Sequence, residues 1–260
     1  MDFKGKTVLV TGASGGFGAA MSEAFAARGG RLVLADMDGA KLNKFAENLK
    51  SKGTKVAILA GDVTDPAHHA ALVDLAMSEF GTLDICVNNA GIVSSIAGLP
   101  DITTRDAKAV IDVDLMGVFY AMQAQLPAME ATWKQTDQFT SMVNIASVAG
   151  LVGSAYLSIY AAAKHGVVGL TKSAALEYAK RGVRVNAVCP SYAATDMLEK
   201  YYDESPKERL PATLKLVRGI PMARVGQVQE VVAAILFAAD PANSFMTGET
   251  LAVDGGLSAI

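Results

Sequence analysis

The sequence predicts an α/β fold: a doubly wound, seven-stranded parallel sheet with helices on both faces, built as a single domain. Three observations carry this prediction. Short apolar runs alternate with helix-length amphipathic segments along the whole chain, the pattern of successive strand–helix–strand crossovers. Hydrophobic residues make up 51% of the chain and aromatics only 7%, which suits strands buried on both faces by Ala, Val, Leu and Ile. A length of 260 residues fits one large domain, and no linker-like tract divides it.

The elements follow in order. Continuous apolar runs predict strands over residues 7–11, 31–35, 55–60, 84–87, 141–146, 184–189 and 250–253. Helix-period segments between them fall at 16–28, 41–51, 66–80, within 103–130, at 155–180 and at 227–239. The connection over 191–222 breaks the rhythm. It is long, rich in Tyr, Met, Leu and charge, and interrupted by Pro206, Pro211 and Pro221. Excursions of this length in compact domains are commonly lids or binding loops, so a substrate lid is expected there.

Between the first strand and first helix lies Thr11-Gly-Ala-Ser-Gly-Gly-Phe-Gly18. Gly12, Gly16 and Gly18 allow a tight turn and a close approach of backbone to a pyrophosphate, and free helix N–H groups face the anion. The fold is therefore expected to be Rossmann-like, with Gly12, Ser14, Gly15, Gly16, Phe17 and Gly18 as cofactor contacts and the Ser14 hydroxyl aimed at ribose or phosphate. Asp36 ends the second strand, where a carboxylate accepts hydrogen bonds from the adenosine ribose hydroxyls and repels a 2′-phosphate. Met37 follows it and Gly15 occupies the turn, so neither neighbour supplies a phosphate clamp. The expected cofactor is NAD. Asp62 and Val63 would bracket the adenine, and Asn88-Asn89-Ala90-Gly91 places small residues where backbone must pass close to the cofactor.

Tyr160 and Lys164 stand one helical turn apart in Tyr160-Ala-Ala-Ala-Lys164, and Ser147 lies upstream at the end of the fifth strand. Residues i and i+4 share a helix face. A free phenol titrates near ~10, too high for a base at neutral pH. An ammonium at Lys164 and a bound nicotinamide cation both favour the phenolate; a shift of two or three units corresponds to roughly 3–4 kcal/mol. With Ser147 donating to the substrate oxygen, Tyr160 would exchange the proton while hydride passes to or from the nicotinamide.

In this order and spacing, the Thr11–Gly18 turn, Asp62, Asn88–Gly91, Ser147, Tyr160 with Lys164, Pro190 with Thr195, and Asp254-Gly255-Gly256 resemble the short-chain dehydrogenase/reductase superfamily over nearly the whole chain. The resemblance implies that the serine orients the carbonyl or hydroxyl, the tyrosine exchanges the proton and the lysine holds the nicotinamide ribose. It also implies contacts to the carboxamide end of the cofactor from Pro190, Ser191, Ala193 and Thr195. NADP-using members usually carry Arg or Lys at the place of Gly15 or Met37. Two positions depart from the pattern. Asp114 stands where members usually have Asn, which supports a helix kink and a water relay to the lysine. Asp114 joins the candidate catalytic set as a possible acceptor for that water; ionised, it would offset part of the ammonium's effect on Tyr160 and move the optimum for oxidation to the alkaline side. Ser191 replaces a common Gly, which would strain the backbone if a glycine-only angle were needed there.

The substrate side is expected from residues 93–97, 147–152, Tyr156 and 192–202, mainly apolar and aromatic with no Arg clamp. That favours a neutral, moderately hydrophobic secondary alcohol or ketone. Two alternatives stand beside it: a 3-oxoacyl-thioester reductase and a non-catalytic nucleotide-binding scaffold. Lys207, Arg209, Lys215 and Arg218 are available to an acidic carrier, but Asp203, Glu204 and Glu208 are interspersed. A net charge of −3 argues against nucleic acid or an anionic membrane as partner. The start of the chain lacks a signal peptide's apolar core, and no run is long enough to span a bilayer. Cys86 and Cys189 sit in apolar strands as buried free thiols, which fits a reducing cytoplasm. His68, His69 and His165 form no metal ligand set and are expected on helix surfaces. Apolar residues on more than one face of the helices within 103–130 and 155–180 predict a homo-oligomer, a tetramer or dimer.

Overall fold

The computed structural model describes residues 1–194 and 217–259. Seven parallel strands form one sheet in the order β3-β2-β1-β4-β5-β6-β7. They are β1 Thr7–Thr11, β2 Arg31–Asp36, β3 Val56–Ala60, β4 Ile85–Asn88, β5 Thr140–Ile145, β6 Val183–Pro190 and β7 Thr250–Val253. Every pair is parallel; for instance, Leu9 faces Val33 on one side and Cys86 on the other. The strand order reverses between β1 and β4. There the helices leave toward opposite faces and open a crevice at the carboxyl ends of the strands, where ligands bind in such sheets.

The helices are α1 Gly16–Ala26, α2 Gly39–Ser51, α3 Pro66–Phe80, α4 Thr104–Ile111, α5 Gly117–Thr136, α6 Ser158–Tyr178 and α7 Val228–Ala239. Local chemistry sets their ends. Asp38 accepts the Lys41 N–H at 3.0 Å, and Asp65 accepts the Ala67 N–H at 2.9 Å ahead of Pro66. Gly81 closes α3 in the left-handed region at φ 75°. Glu230 reaches back to the Gln227 N–H at 2.7 Å to open α7.

Two apolar cores lie on the two faces of the sheet. Met21, Phe25, Leu42, Leu49, Val231 and Ile235 of α1, α2 and α7 cover one face. Leu72, Val118, Met122, Met129 and Val167 of α3, α5 and α6 cover the other. Cys86 and Cys189 are free thiols buried in the strands, as their apolar surroundings predict. Among the described residues, no helix is long and apolar enough to cross a membrane.

Three differences from expectation have physical causes. The segment predicted as one helical stretch within 103–130 is α4, one turn of π-helix over Asp112–Met116, and α5. The Gly117 N–H reaches the Asp112 carbonyl five residues back, which inserts an extra residue into the helix. His68 and His69 are buried rather than on the helix surface. His68 lies against Gly61, and His69 Nε2 lies 2.9 Å from the Val63 carbonyl, so the loop after β3 folds over them. His165 is exposed, as expected. Ser191 does not adopt a positive φ, so its place in a glycine position carries no strain. Most of the expected lid, residues 195–216 within 191–222, lies outside the described residues, and Thr195 with it.

Candidate active site

The β1–α1 turn is built by close backbone approach. A Cβ on Gly18 would stand 1.9 Å from the Gly12 carbonyl oxygen, and one on Gly12, at φ 62°, would stand 3.0 Å from the Ala90 Cα. Only glycine fits either place. Asn89 fastens this turn to β4: its side-chain amide donates to the Thr11 and Gly12 carbonyls at 3.0 and 3.1 Å. The Asn89 and Ala90 N–H groups donate to the Thr11 hydroxyl at 3.0 and 3.2 Å.

Asp36 closes the far side of the crevice. Its carboxylate accepts the Ser14 N–H at 2.9 Å and the Asp38 N–H at 3.1 Å, which fixes its orientation at the end of β2. Met37 is exposed beside it. A Cβ on Gly15 would meet nothing within 4 Å among the described residues, so this side of the turn is open. Val63 lies under Gly117, the first residue of α5, whose Cβ would come within 3.2 Å of Val63. Asp62 is exposed and turns the chain by accepting the Thr64 N–H at 2.9 Å. This donor set and cradle fit a dinucleotide: glycines where the backbone must approach, and a carboxylate where ribose hydroxyls would lie.

Ser147, Tyr160, Lys164 and Asp114 converge at the carboxyl ends of β4, β5 and β6. Ser147 follows β5; its hydroxyl accepts the Ala149 N–H at 3.2 Å, lies 3.4 Å from the Pro190 carbonyl and, beside the Tyr160 phenol, favours its ionised form. Tyr160 and Lys164 share one face of α6, with the ammonium 5.5 Å from the centre of the phenol ring. Lys164 donates to the Ile145 carbonyl at 3.1 Å and lies 3.2 Å from Asp114 Oδ2. Asp114 Oδ1 accepts the Ile92 N–H at 2.7 Å. The π-turn places Asp114 inward; the residue is fully buried, and Lys164 is 4% exposed. Gly91 roofs the pair: a Cβ there would touch both Lys164 Nζ and Asp114 Oδ2 at 3.4 Å.

The electrostatics follow from this arrangement. Burial raises the Asp114 carboxyl above its ordinary range, while the Lys164 ammonium opposes the shift. Burial works against the Lys164 ammonium, but Asp114 and Tyr160 together outweigh it and raise the amine. Burial also raises the Tyr160 phenol; Asp114 adds to this rise and Lys164 counters it. Burial pushes the Cys189 thiol behind the cluster up to about 11, so it stays neutral.

Pro190 ends β6 beside Ser147. The next residues are held by the end of β7 and by Gly226. Ser191 donates its N–H to the Val253 carbonyl at 3.1 Å, and Ala193 pairs with Gly226. On the substrate side, Tyr156 accepts the Ala97 N–H at 3.1 Å and occupies the left-handed region at φ 65° with its ring exposed.

Sequence reasoning missed the backbone groups of Ile92 and Ile145, because main-chain contacts leave no side-chain signal. It also passed over a buried polar chain beneath the site. Gln125 donates to Asn88 at 3.0 Å, Asn88 to Asn144 at 2.9 Å, and Asn144 to the Thr171 hydroxyl at 3.0 Å. The available signal was amide residues set within the apolar runs of β4 and β5.

The family profile described as enoyl-(acyl carrier protein) reductase matches residues 12–258. Cyclohexanol dehydrogenase of Acinetobacter sp. (strain SE19) is 35% identical over 97% of this chain and 95% of its own length. Cis-4-hydroxycyclohexanecarboxylate dehydrogenase of Sinomonas cyclohexanicum is 39% identical over 99% of this chain and 98% of its own. Among solved structures, levodione reductase superposes with a TM-score of 0.92 at 32% identity, covering 99% of both chains. The 3-ketoacyl-(acyl-carrier-protein) reductase of Brucella melitensis, complexed with NADH, superposes with a TM-score of 0.89 at 30% identity, covering 99% of this chain and 100% of its own. ElxO with NADP bound gives 0.89 at 30% identity, covering 98% and 99%. Similarity of this extent, over a site of this geometry, places the chain in the short-chain dehydrogenase/reductase superfamily. It is an oxidoreductase of the alcohol dehydrogenase type that works with a nicotinamide cofactor.

Proposed function

We propose that the protein interconverts a neutral, moderately hydrophobic secondary alcohol and its ketone with NAD, using Tyr160 as proton donor and acceptor. The observation that carries this reading is the cluster itself: a phenol beside the Ser147 hydroxyl and backed by the Lys164 ammonium, opening on the crevice at the β1–β4 reversal. Gly12, Ser14, Gly15, Gly16, Phe17, Gly18, Asp36, Met37, Asp62, Val63, Asn89, Ala90 and Gly91 would hold the dinucleotide, with Tyr160 and Lys164 at its nicotinamide ribose and Pro190, Ser191, Ala193 and Thr195 at its carboxamide end.

The nicotinamide, when bound, supplies the hydride acceptor or donor. Ser147 donates a hydrogen bond to the substrate oxygen and fixes it against Tyr160. In oxidation Tyr160 takes the hydroxyl proton, and in reduction it returns one. Lys164 would hold the ribose with the one N–H left after the Ile145 carbonyl and Asp114 are served.

Selection of NAD is supported by the Asp36 carboxylate and by the absence of a cation at Gly15 and Met37. A cyclic alcohol is supported by relatives named for cyclohexanol and hydroxycyclohexanecarboxylate. The protein is taken to work in the cytoplasm as a homo-oligomer, tetramer or dimer, a reading that rests on the apolar outer helix faces and that sedimentation would test.

The deciding experiment is an activity screen with NAD⁺ and NADP⁺ over secondary alcohols, using Tyr160→Phe as the blank. NAD⁺-dependent turnover of ring alcohols, reduced about 10³-fold by Tyr160→Phe, is the expected result. Activity on 3-oxoacyl thioesters alone would establish the acyl-reductase alternative. Tight dinucleotide binding without turnover in either arm would favour a scaffold.

A further inference from the structure

Lys164 is paired with a fully buried carboxylate, that of Asp114, at 3.2 Å. We propose that Asp114 is a positioning residue acting through Lys164: its carboxylate neutralises the ammonium beside Tyr160 and keeps the phenol protonated to higher pH. The oxidative reaction then becomes alkaline-dependent, while proton donation to a ketone persists across the neutral range. This inference rests on the proposed role of Tyr160.

The geometry holds the carboxylate in its ionised form. Oδ1 accepts the Ile92 N–H at 2.7 Å and Oδ2 faces the ammonium at 3.2 Å. Oδ2 receives no hydrogen bond among the described residues, so the Lys164 ammonium is the group that favours its charge. The contact is out of solvent, with Asp114 fully buried and Gly91 packed over both groups. There, water and salt screen less than at the surface, and a charge pair acts more strongly than an exposed one.

The groups facing the phenol come from each element packed around it. α6 contributes Lys164, the π-turn contributes Asp114, the end of β5 contributes Ser147, and β6 contributes Cys189. Ser147 is neutral. The Cys189 thiol, pushed up to about 11, is neutral through the working range. Among the described residues, the charge balance at Tyr160 is therefore set by one cation and one anion. A neutral residue at position 114 would leave the cation unopposed. The direction agrees with the phenol's upward shift, to which burial contributes most and Asp114 adds.

The sign follows directly. Oxidation needs the phenolate, so its rate rises as pH climbs through the phenol's pKa; reduction needs the phenol and is lost over the same interval. Removing the Asp114 charge lowers that pKa and moves both limbs toward acid.

The test begins with the cofactor-free protein, in which the tyrosinate absorbance is titrated and the Tyr160→Phe curve subtracted to isolate one phenol among the seven tyrosines. In the wild type, Tyr160 is expected to titrate at or above the ordinary value of 10.0. In Asp114→Asn, which retains an acceptor for the Ile92 N–H, it is expected about one unit lower. The pH profile of alcohol oxidation should move toward acid by the same amount, giving about tenfold faster oxidation below both midpoints. A wild-type phenol titrating near neutrality overturns the inference, and this arm needs no Asp114 variant to fold. An Asp114→Asn protein that loses turnover with its phenol unmoved also overturns it, since that marks a purely structural role. A displaced phenol with no turnover on any alcohol leaves the inference standing and refutes the proposed function instead.

Discussion

The Asp36 carboxylate accepts the backbone N–H of Ser14 across the mouth of the crevice at 2.9 Å. This bond ties the end of β2 to the glycine turn, so the residue that would meet the adenosine ribose is also part of the turn's support. Replacing Asp36 with Ala and Gly15 with Arg in one protein exchanges an anion for a cation at this place. Gly15 has an extended backbone, φ −131° and ψ 159°, and open space around its missing Cβ, so an arginine is accommodated. The ratio of kcat/KM for NAD⁺ to that for NADP⁺ should fall by about 10²-fold, the equivalent of one or two lost charge-assisted hydrogen bonds. An unchanged ratio in steady-state assays would show that Asp36 does not select the cofactor.

Tyr156 is a non-glycine residue held in the left-handed region at φ 65°, two residues before α6 and pinned through the Ala97 N–H. Such strain in an exposed aromatic beside a cleft is retained where the ring has a use. Tyr156→Gly relieves the strain but loosens the unfolded chain, so stability should rise by about 0.5 kcal/mol. The KM for the alcohol should increase several-fold with kcat little changed, and Tyr156→Phe should preserve both. Thermal melts and steady-state kinetics on the same preparations check the two halves together.

Arg184 is 2% exposed in β6, and its guanidinium donates to the carbonyls of Ala238, Asp240 and Met246 at 3.1–3.2 Å. It thereby closes the C-terminal end of α7, where the helix dipole is negative. Arg184→Met should take the side-chain donor from the Asp240 carbonyl, while Ser141 and Asn186 still serve those of Ala238 and Met246, and cost about 2 kcal/mol in urea unfolding. Arg184→Lys should recover part of that loss. A change below about 0.5 kcal/mol would mean that solvent replaces the cap.

Burial lowers the pKa of both His68 and His69 below 6.5, with Asp65 opposing the shift at each and the Val63 carbonyl opposing it at His69. Their folded forms therefore bind fewer protons than the unfolded chain. Stability is complete above pH 6.5 and declines as pH falls from there toward the folded values. Urea midpoints at pH 7.5 and 5.5 should differ in the wild type, and the difference should shrink in a His68→Gln, His69→Gln double variant. An equal difference in both proteins would assign the acid sensitivity to other groups.

The sheet was legible because its strands are buried on both faces and read as unbroken apolar runs. α3 was legible to the residue because Asp65, Pro66 and Gly81 punctuate it. The inward turn of His68 and His69 was not, since it depends on a loop from another element closing over the helix. The resemblance implied a helix kink at Asp114, but its form as a π-turn was hidden. One inserted residue alters the hydrogen-bond step from four to five without disturbing side-chain periodicity over so short a stretch. In the candidate site, Ser147, Tyr160, Lys164 and the glycines stood out through residue type and spacing. The nearness of Asp114 to the Lys164 ammonium followed from the resemblance, whereas its direct contact with that ammonium and the Ile92 amide required the folded chain.

The chain of amides from Gln125 through Asn88 and Asn144 to Thr171 runs through an otherwise apolar layer. Greasy surfaces can slide past one another at little cost, whereas a row of donors and acceptors engages only at one setting. The row therefore works as an index pin. It locks the axial position of α6 against β4 and β5, and with it the height at which the phenol stands above the sheet.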